Sequence, residues 1–545
     1  MAESRAFLFF TILTFFHGSC HSAKILINLT PQTQSHTMGM KRIAQEMSER
    51  GHEILFVMPD ADIPTFRMPA TTAILPYEFA QSRGPGSKEL RLSSKHTQSD
   101  MLKMVNDMMS RACTGLMTNA TLLSGLKEYR ADVMLGESFY PCTPLLASRL
   151  DLSWVGYFAA APIEPYMTAI WPECPRRHFV PNPLSYFPQM GQSTTSQFMT
   201  FTQRLENLWH YLHDAIQDAM IHRPFVLATY KQFGFDINGP GERQRHVLTL
   251  VPVDWAAESV RPTPPALKFV GPILSAPGKP LPAELEDYMQ GAGEEGVLLV
   301  ALGTVTELGK EQRMLMAAEF GKLPCKVLWR LSNKEIPDED SIAELGLADN
   351  TKVVRWLPQN DILAHPRTRA FLSHCGVNSM YEAIYHGKPI VALPFFGDQS
   401  NNADKLINKG MAVKVRLSNV KAGNHEMLDG ITRVLTDGNY TLAARALSTK
   451  IKSHRRTPVQ QAGDWIEHVV ETKGDPYLKT PDDELSYIVR HNLDVYFAVA
   501  AFVGLLSFLA LRLLRSVWRS VFGYQNIGSS GVKPAMHLNG KTKST

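Results

Sequence analysis

The chain has 545 residues, too many for one ordinary domain, and its 44% hydrophobic and 20% charged residues are those of a folded protein. Its net charge of +4 is smaller than the six basic residues, with no acid, that follow Leu511, so the remainder is slightly acidic. A nucleic-acid-binding globule would carry positive charge on a folded face, and that class is excluded as a partner.

In chain order, Arg5 precedes the apolar run Ala6 to Phe16 and then small residues up to Ala23. The run is too short to span a bilayer, and 1–23 reads as a signal peptide. Lys24 to Leu29 is an apolar strand, followed by the loop TPQTQSHT, a helix from about Met38 to Arg50 and a strand from Ile54 to Met58. Asp132 to Gly136 and Trp154 to Phe158 are further short strands; Phe158 to Phe201, rich in Pro, Met and aromatics, fits neither period. The proline-dense stretch from Arg261 to Glu284 is expected to be irregular and to link two halves. Beyond it, Val297 to Leu302, Lys326 to Leu331, Lys352 to Arg355, Ala370 to Ser373 and Pro389 to Pro394 read as strands alternating with helices. Such alternation predicts an α/β protein with two parallel sheets facing a cleft. The expected domains are 24–270, a linker at 271–286, and 287–470, with 471–492 as a juxtamembrane segment.

Val495 to Leu511 carries no charge, and with Leu493 the span 493–511 is long enough for a transmembrane helix. Arg512, Arg515 and Arg519 follow, so 512–545 is expected to be a cytosolic basic tail with everything upstream in the lumen. Lys541 and Lys543 near the end resemble a dilysine retrieval signal, which places the chain in the endoplasmic reticulum membrane as a type I protein. Six cysteines show neither zinc spacing nor a disulfide framework. Asn28, Asn119 and Asn439 lie in N-x-S/T sequons; Asn28 falls in a buried strand, which leaves the other two as the better glycan acceptors. Gly291 to Gly296 matches G-x-G-x-x-G but precedes a strand, so it is a loop rather than a dinucleotide site.

The richest stretch runs from Arg355 to Ala403. A strand delivers His374, Cys375-Gly376 turns, and a helix begins near Val377. A helix amino terminus beside a strand end binds anions, and Gly376 would let one approach the backbone N–H groups. His374, Asn378 and Glu382, four residues apart, are expected on one helix side, with Glu382 reaching ribose hydroxyls and Ser379 a phosphate. Asp398 and Gln399 could grip sugar hydroxyls; Trp356 could stack on a base with Gln359 beside it. In the first half, His36 stands at the crevice edge as a candidate general base, with Glu137 at a strand end as its orienting carboxylate. No metal-ligand cluster accompanies the site. An NAD-dependent oxidoreductase would need a Gly-rich first turn, which TPQTQSHT lacks. The competing reading is a membrane protein that binds the same ligand without catalysis, against which the presence of His36 counts.

The W-x-P-Q opening, H-C-G-x-N-S, Glu382, H-G-x-P and D-Q resemble the signature segment of the UDP-glycosyltransferases, which include the UDP-glucuronosyltransferases. P-x-x-S-H at Pro31 to His36, Pro141-Cys142, R-P-x-x-P and A-L-G-T at Ala301 to Thr304 extend the likeness over most of the chain. The resemblance implies the two-domain GT-B fold, each domain Rossmann-like, and inverting sugar transfer from a UDP-sugar, with no other cofactor, to a small lipophilic acceptor. It implies that Trp356, Gln359, His374, Asn378, Ser379, Glu382, Asp398 and Gln399 contact the donor, with Gly303 and Thr304 near the phosphates. His36 matches the family's catalytic base. Its partner is usually aspartate, and here it is Glu137.

Overall fold

The computed structural model describes residues 22–31, 34–66, 72–78, 98–160, 200–217, 219–220, 223–236, 245–260, 263–303, 308–395, 397–479, 486–490 and 492–522. The leader up to His21, the aromatic-rich segment 161–199, Thr304, and the tail with Lys541 and Lys543 lie outside the described residues.

Seven parallel strands form the first sheet: β1 (Lys24–Asn28), β2 (Glu53–Pro59), β3 (Ala73–Tyr77), β4 (Val133–Glu137), β5 (Trp154–Tyr157), β6 (His246–Val251) and β7 (Leu267–Phe269). Their order in space is β3-β2-β1-β4-β5-β6-β7. The second sheet has six: β8 (Val297–Ala301), β9 (Lys326–Arg330), β10 (Thr351–Val354), β11 (Thr368–Ser373), β12 (Ile390–Ala392) and β13 (Ala412–Lys414), ordered β10-β9-β8-β11-β12-β13. Both sheets are doubly wound, and each reverses direction at one place, between β1 and β4 and between β8 and β11. In open parallel sheets, ligands bind outside the carboxyl ends of the strands at such reversals. The strands read as continuous apolar runs because helices cover both faces; β8 is buried at every residue.

The helices that matter below are α1 (Gln34–Glu49), α2 (Gln98–Thr118), α3 (Cys142–Leu150), α4 (Ala283–Gln290), α5 (Val377–Tyr385), α6 (Gln399–Asn408), α7 (Pro458–Glu471) and α8 (Leu493–Phe522). Several depart from the sequence expectation. The first helix starts at Gln34, so His36 lies in its first turn rather than in a loop. The proline-rich stretch is not wholly irregular: it holds β7, an edge strand paired to β6, and it ends in α4. Leu285 and Met289 of α4 pack with residues of the second sheet. Proline is tolerated there because an edge strand and a first helical turn each leave backbone N–H groups unused. The G-x-G-x-x-G segment is the turn between α4 and β8, as its position predicts.

Helix α7 follows the second sheet in sequence but packs on the first. Its Val459, Ala462, Ile466 and Val469 join the core around β1 and α1. At its edge, Arg50 donates to Asp464 at 2.9 Å and to Glu467 at 2.8 Å, and His52 lies 3.1 Å from Glu467.

Cysteine spacing gave no sign of a bridge, yet Cys113 and Cys142 form a disulfide, with Cα atoms 5.2 Å apart. It joins the carboxyl-terminal part of α2 to the start of α3, a pairing made by packing across 29 residues of sequence rather than by a local motif. Asn28 is fully buried in β1, Asn119 caps a helix by accepting from Leu122 N–H at 3.0 Å, and Asn439 is exposed.

The residues from Thr480 onward form a separate compact unit. Its helix α8 is 30 residues long, apolar and fully exposed, and long enough to cross a membrane. It continues past the expected end at Leu511 and takes in Arg512, Arg515 and Arg519. At 1.5 Å per residue it is about 45 Å long, which covers a hydrocarbon core of about 30 Å and reaches the headgroups, where those arginines are at ease.

Candidate active site

His36 and Glu137 flank the reversal point of the first sheet. Asn28 of β1 and Gly136 of β4 are in register, so the residues that follow them emerge side by side. His36 Nδ1 lies 2.9 Å from Glu137 Oε2. The Glu137 side chain is wholly buried, while the imidazole keeps 27% of its surface exposed. A carboxylate can only accept, so the Nδ1 proton is held there and Nε2 presents its lone pair. Burial disfavours the imidazolium, but the Glu137 carboxylate, with a smaller effect from Asp398, outweighs it and raises the His36 pKa above the ordinary histidine value. The longer arm of glutamate therefore does reach. The turn after β4 is fixed by Thr143 Oγ1 donating to the Glu137 carbonyl at 2.9 Å and by Tyr140 N–H donating to the same oxygen at 3.1 Å.

The second reversal point holds the other predicted cluster. His374 leaves β11, Gly303 leaves β8, and the His374 ring fills the space between Gly303 and Gly376. A Cβ on Gly303 would stand 2.7 Å from His374 Nε2, and one on Gly376 2.5 Å from it. Both positions therefore demand glycine, and Gly303 also sits at φ +85°. Cys375 adopts φ +61°, a left-handed turn that costs a side-chain-bearing residue free energy and is kept where function needs the shape. His374 is partly buried; its desolvation, with the Arg330 guanidinium nearby, pushes its pKa down to about 4 despite the Ala301 backbone, so it is neutral. Its Nδ1 is buried and has no hydrogen-bond partner among the described residues.

Helix α5 starts at Val377 with Gly376 at its cap, so His374 precedes the helix and does not share a face with Asn378 and Glu382 as the four-residue spacing suggested. Glu382 is nearly buried, and that burial, partly countered by Gln359, raises its pKa to about 7. Gln359 Nε2 donates to Ser379 Oγ at 3.0 Å and to Glu382 Oε2, which places three predicted donor residues in one group. Trp356 is 72% exposed, the state a stacking platform needs. Asp398 precedes α6; Gln399 is buried and accepts from Phe395 N–H at 2.8 Å.

Two residues escaped the sequence reading. Arg330, at the end of β9, donates to the Gly303 carbonyl and holds that loop. Asn402 is fully buried and donates to the Cys375 carbonyl at 3.0 Å and to Asp398 Oδ2 at 2.8 Å, tying the loops after β11 and β12 together. Its position four residues after Asp398, which caps α6, is the available signal.

A family model described as "UDP-glucoronosyl and UDP-glucosyl transferase" matches residues 23–526. UDP-glucuronosyltransferase 2B1 of Rattus norvegicus is 32% identical over 521 residues, covering 91% of this chain and 93% of the relative. UDP-glucuronosyltransferase 1A1 of Homo sapiens is 30% identical over 517 residues, covering 92% and 93%. Among solved structures, the calicheamicin glycosyltransferase CalG4 aligns with a TM-score of 0.55 at 20% identity, covering 83% of this chain and 99% of that one. Os79 from O. sativa, in complex with U2F and trichothecene, aligns with a TM-score of 0.56 at 18% identity, covering 82% and 100%. These neighbours, together with two parallel sheets that each reverse once, assign the GT-B fold. The chain is a UDP-glycosyltransferase, a member of the UDP-glucuronosyl and UDP-glucosyl transferase family.

Proposed function

We propose that the protein transfers a glucuronosyl or glucosyl group from its UDP-sugar to a hydroxyl of a small lipophilic acceptor, with inversion, using His36 as the general base. The observation that carries this is the His36–Glu137 pair at 2.9 Å, a base with its carboxylate at the end of the first sheet. The acceptor oxygen gives its proton to His36 Nε2 as it forms a bond to the anomeric carbon. The bond from that carbon to the diphosphate breaks, and UDP leaves with the electron pair. Glu137 balances the imidazolium that forms. Attack opposite the leaving group inverts the anomeric centre.

On the donor side, the α5 amino terminus with its glycine turn would receive the diphosphate, neutral His374 could donate to a phosphate oxygen, and Glu382 and Gln359 would hold the ribose. Trp356 would stack on uracil, Asn378 and Ser379 would line the phosphates with Gly303 and Thr304, and Asp398 and Gln399 would face the sugar. The names of the relatives favour a glucuronosyl donor. A chain with a membrane-spanning helix meets solutes concentrated in lipid, which favours a lipophilic acceptor.

His36→Ala, assayed with an aliphatic alcohol, should lose turnover by about 10²–10⁴-fold while UDP still binds. Full turnover would identify another base. A wild-type protein that binds UDP and glycosylates no acceptor would be a binding protein instead. The globular part is proposed to be lumenal in the endoplasmic reticulum. The Cys113–Cys142 bridge supports an oxidising compartment. Protease added to sealed microsomes should then remove only the tail, and digestion of both sheets would place them in the cytosol.

A further inference from the structure

One segment of the first sheet is fastened directly into the two donor helices. After β6, the chain from Val251 to Glu258 runs beneath α5 and α6. The Tyr381 hydroxyl donates to the Asp254 carbonyl at 3.0 Å and accepts from the Asp254 N–H at 2.7 Å, so it closes on both faces of one residue. Tyr381 is itself buried and immediately precedes Glu382. Four residues further along this segment, Lys405 Nζ donates to both oxygens of Glu258 at 2.8 Å each. The side chains of that pair are 5% and 0% exposed. Lys405 lies on α6, seven residues after Asp398. His454, 2.9 Å from Asp254, closes the outer side.

A fully buried ion pair is a poor way to gain stability, because the cost of dehydrating two charges cancels most of their attraction. What such a pair does well is enforce one arrangement, since any shift leaves a buried charge unpaired. The strands lead straight from this joint to the base: Leu250 of β6 is in register with Tyr157 of β5, and Tyr157 with Glu137 of β4. From Glu137 to Asp398 the path thus runs through adjacent strands, one short segment and two helices, with hydrogen bonds at each step.

We infer that the Glu258–Lys405 pair, seated beside the Asp254–Tyr381 clasp, is the joint that sets the position of the donor sugar relative to His36. Lys405 is then a positioning residue: it touches no substrate, and it acts by holding α6, and with it Asp398, at a fixed place against the first sheet. This rests on His36 being the base. Misplacement of reacting groups by about 1 Å can cost on the order of 10²-fold in rate.

The test uses the full-length protein in membranes. Lys405→Met should lower turnover at saturating donor and acceptor at least tenfold. Affinity for UDP should stay within twofold, because the nucleotide lies against α5 and the glycine turn. The acid limb of the pH–rate profile should move little, because the His36–Glu137 contact is intact and Asp398 has the smaller effect on His36. Lys405→Arg should recover most of the turnover. If Lys405→Met alone misfolds, Glu258→Gln combined with Lys405→Met leaves no unpaired buried charge. That double variant should melt near the wild-type temperature and remain at least fivefold slow. Wild-type turnover in either folded variant overturns the inference, and so does a loss of UDP affinity in step with a loss of melting temperature, which would make the pair a stability element only. Failure of the base reading is separate: it is read in His36→Ala, whatever Lys405 does.

Discussion

Replacing Glu137 with glutamine keeps the shape of the dyad and removes its charge. Two consequences follow, with opposite dependence on pH. The His36 pKa stands above the ordinary value because burial, which lowers it, is outweighed by the Glu137 carboxylate. Without that charge, burial is the larger influence left, and the pKa falls below the ordinary value. The base must be neutral to act, so the acid limb of the wild-type kcat/KM profile should lie above pH 6.5 and that of Glu137→Gln below it. The plateau should fall as well. Unit charges about 4 Å apart in a partly buried site attract by roughly 4 kcal/mol, and with the imidazolium partly formed in the transition state about 2–3 kcal/mol of that is lost. This corresponds to roughly 30- to 150-fold in turnover. The assay is initial-rate kinetics from pH 5 to 9 with a fixed aliphatic alcohol. A variant with an unmoved acid limb and a wild-type plateau would refute the dyad. Glu137→Asp keeps the charge but shortens the arm, so its limb should stay near that of the wild type with a smaller loss of plateau.

Glu382, with its pKa raised to about 7, should make UDP affinity increase as the pH rises through 7, because the carboxylate accepts ribose hydroxyls better than the acid does. Calorimetric titration from pH 6 to 8 should show that step in the wild type, and Glu382→Gln should abolish it; a step that persists in the variant would point to another group. Cys113→Ser opens a loop of 29 residues and should cost about 3 kcal/mol, seen as a lower melting temperature that reductant does not depress further. An unchanged melting temperature would mean the bridge adds nothing.

Much of this architecture could be read from the chain alone because the buried strands are uninterrupted apolar runs and the first βαβ unit has a clear helix stop at Gly51. The meeting of Gln359, Ser379 and Glu382 was equally legible, since Trp356 to Gln399 is one continuous stretch of motifs. The misses share one cause: they depend on partners distant in sequence. Strand β13 has three residues and exists by pairing Ala412 with Ile390. Strand β7 hides among prolines and is defined by its register with β6. The Cys113–Cys142 bridge needs α2 and α3 to meet, and the roles of Arg330 and Asn402 appear only when two loops are brought to one place. His36 moved from loop to helix because the first turn starts four residues earlier than its apolar periodicity, at Gln34.

The return of α7 to the first sheet means that sequence order and structural ownership disagree. A gene cut at the proline-rich segment would give a first fragment with a bare groove where Val459, Ala462, Ile466 and Val469 belong. The same cut leaves Arg50 facing water in place of Asp464 and Glu467. The second fragment would trail a helix whose apolar stripe has nothing to cover it, an invitation to aggregate. Exchange of first halves between relatives therefore has to carry α7 along with residues 24–270, as a chimera with three crossover points rather than one.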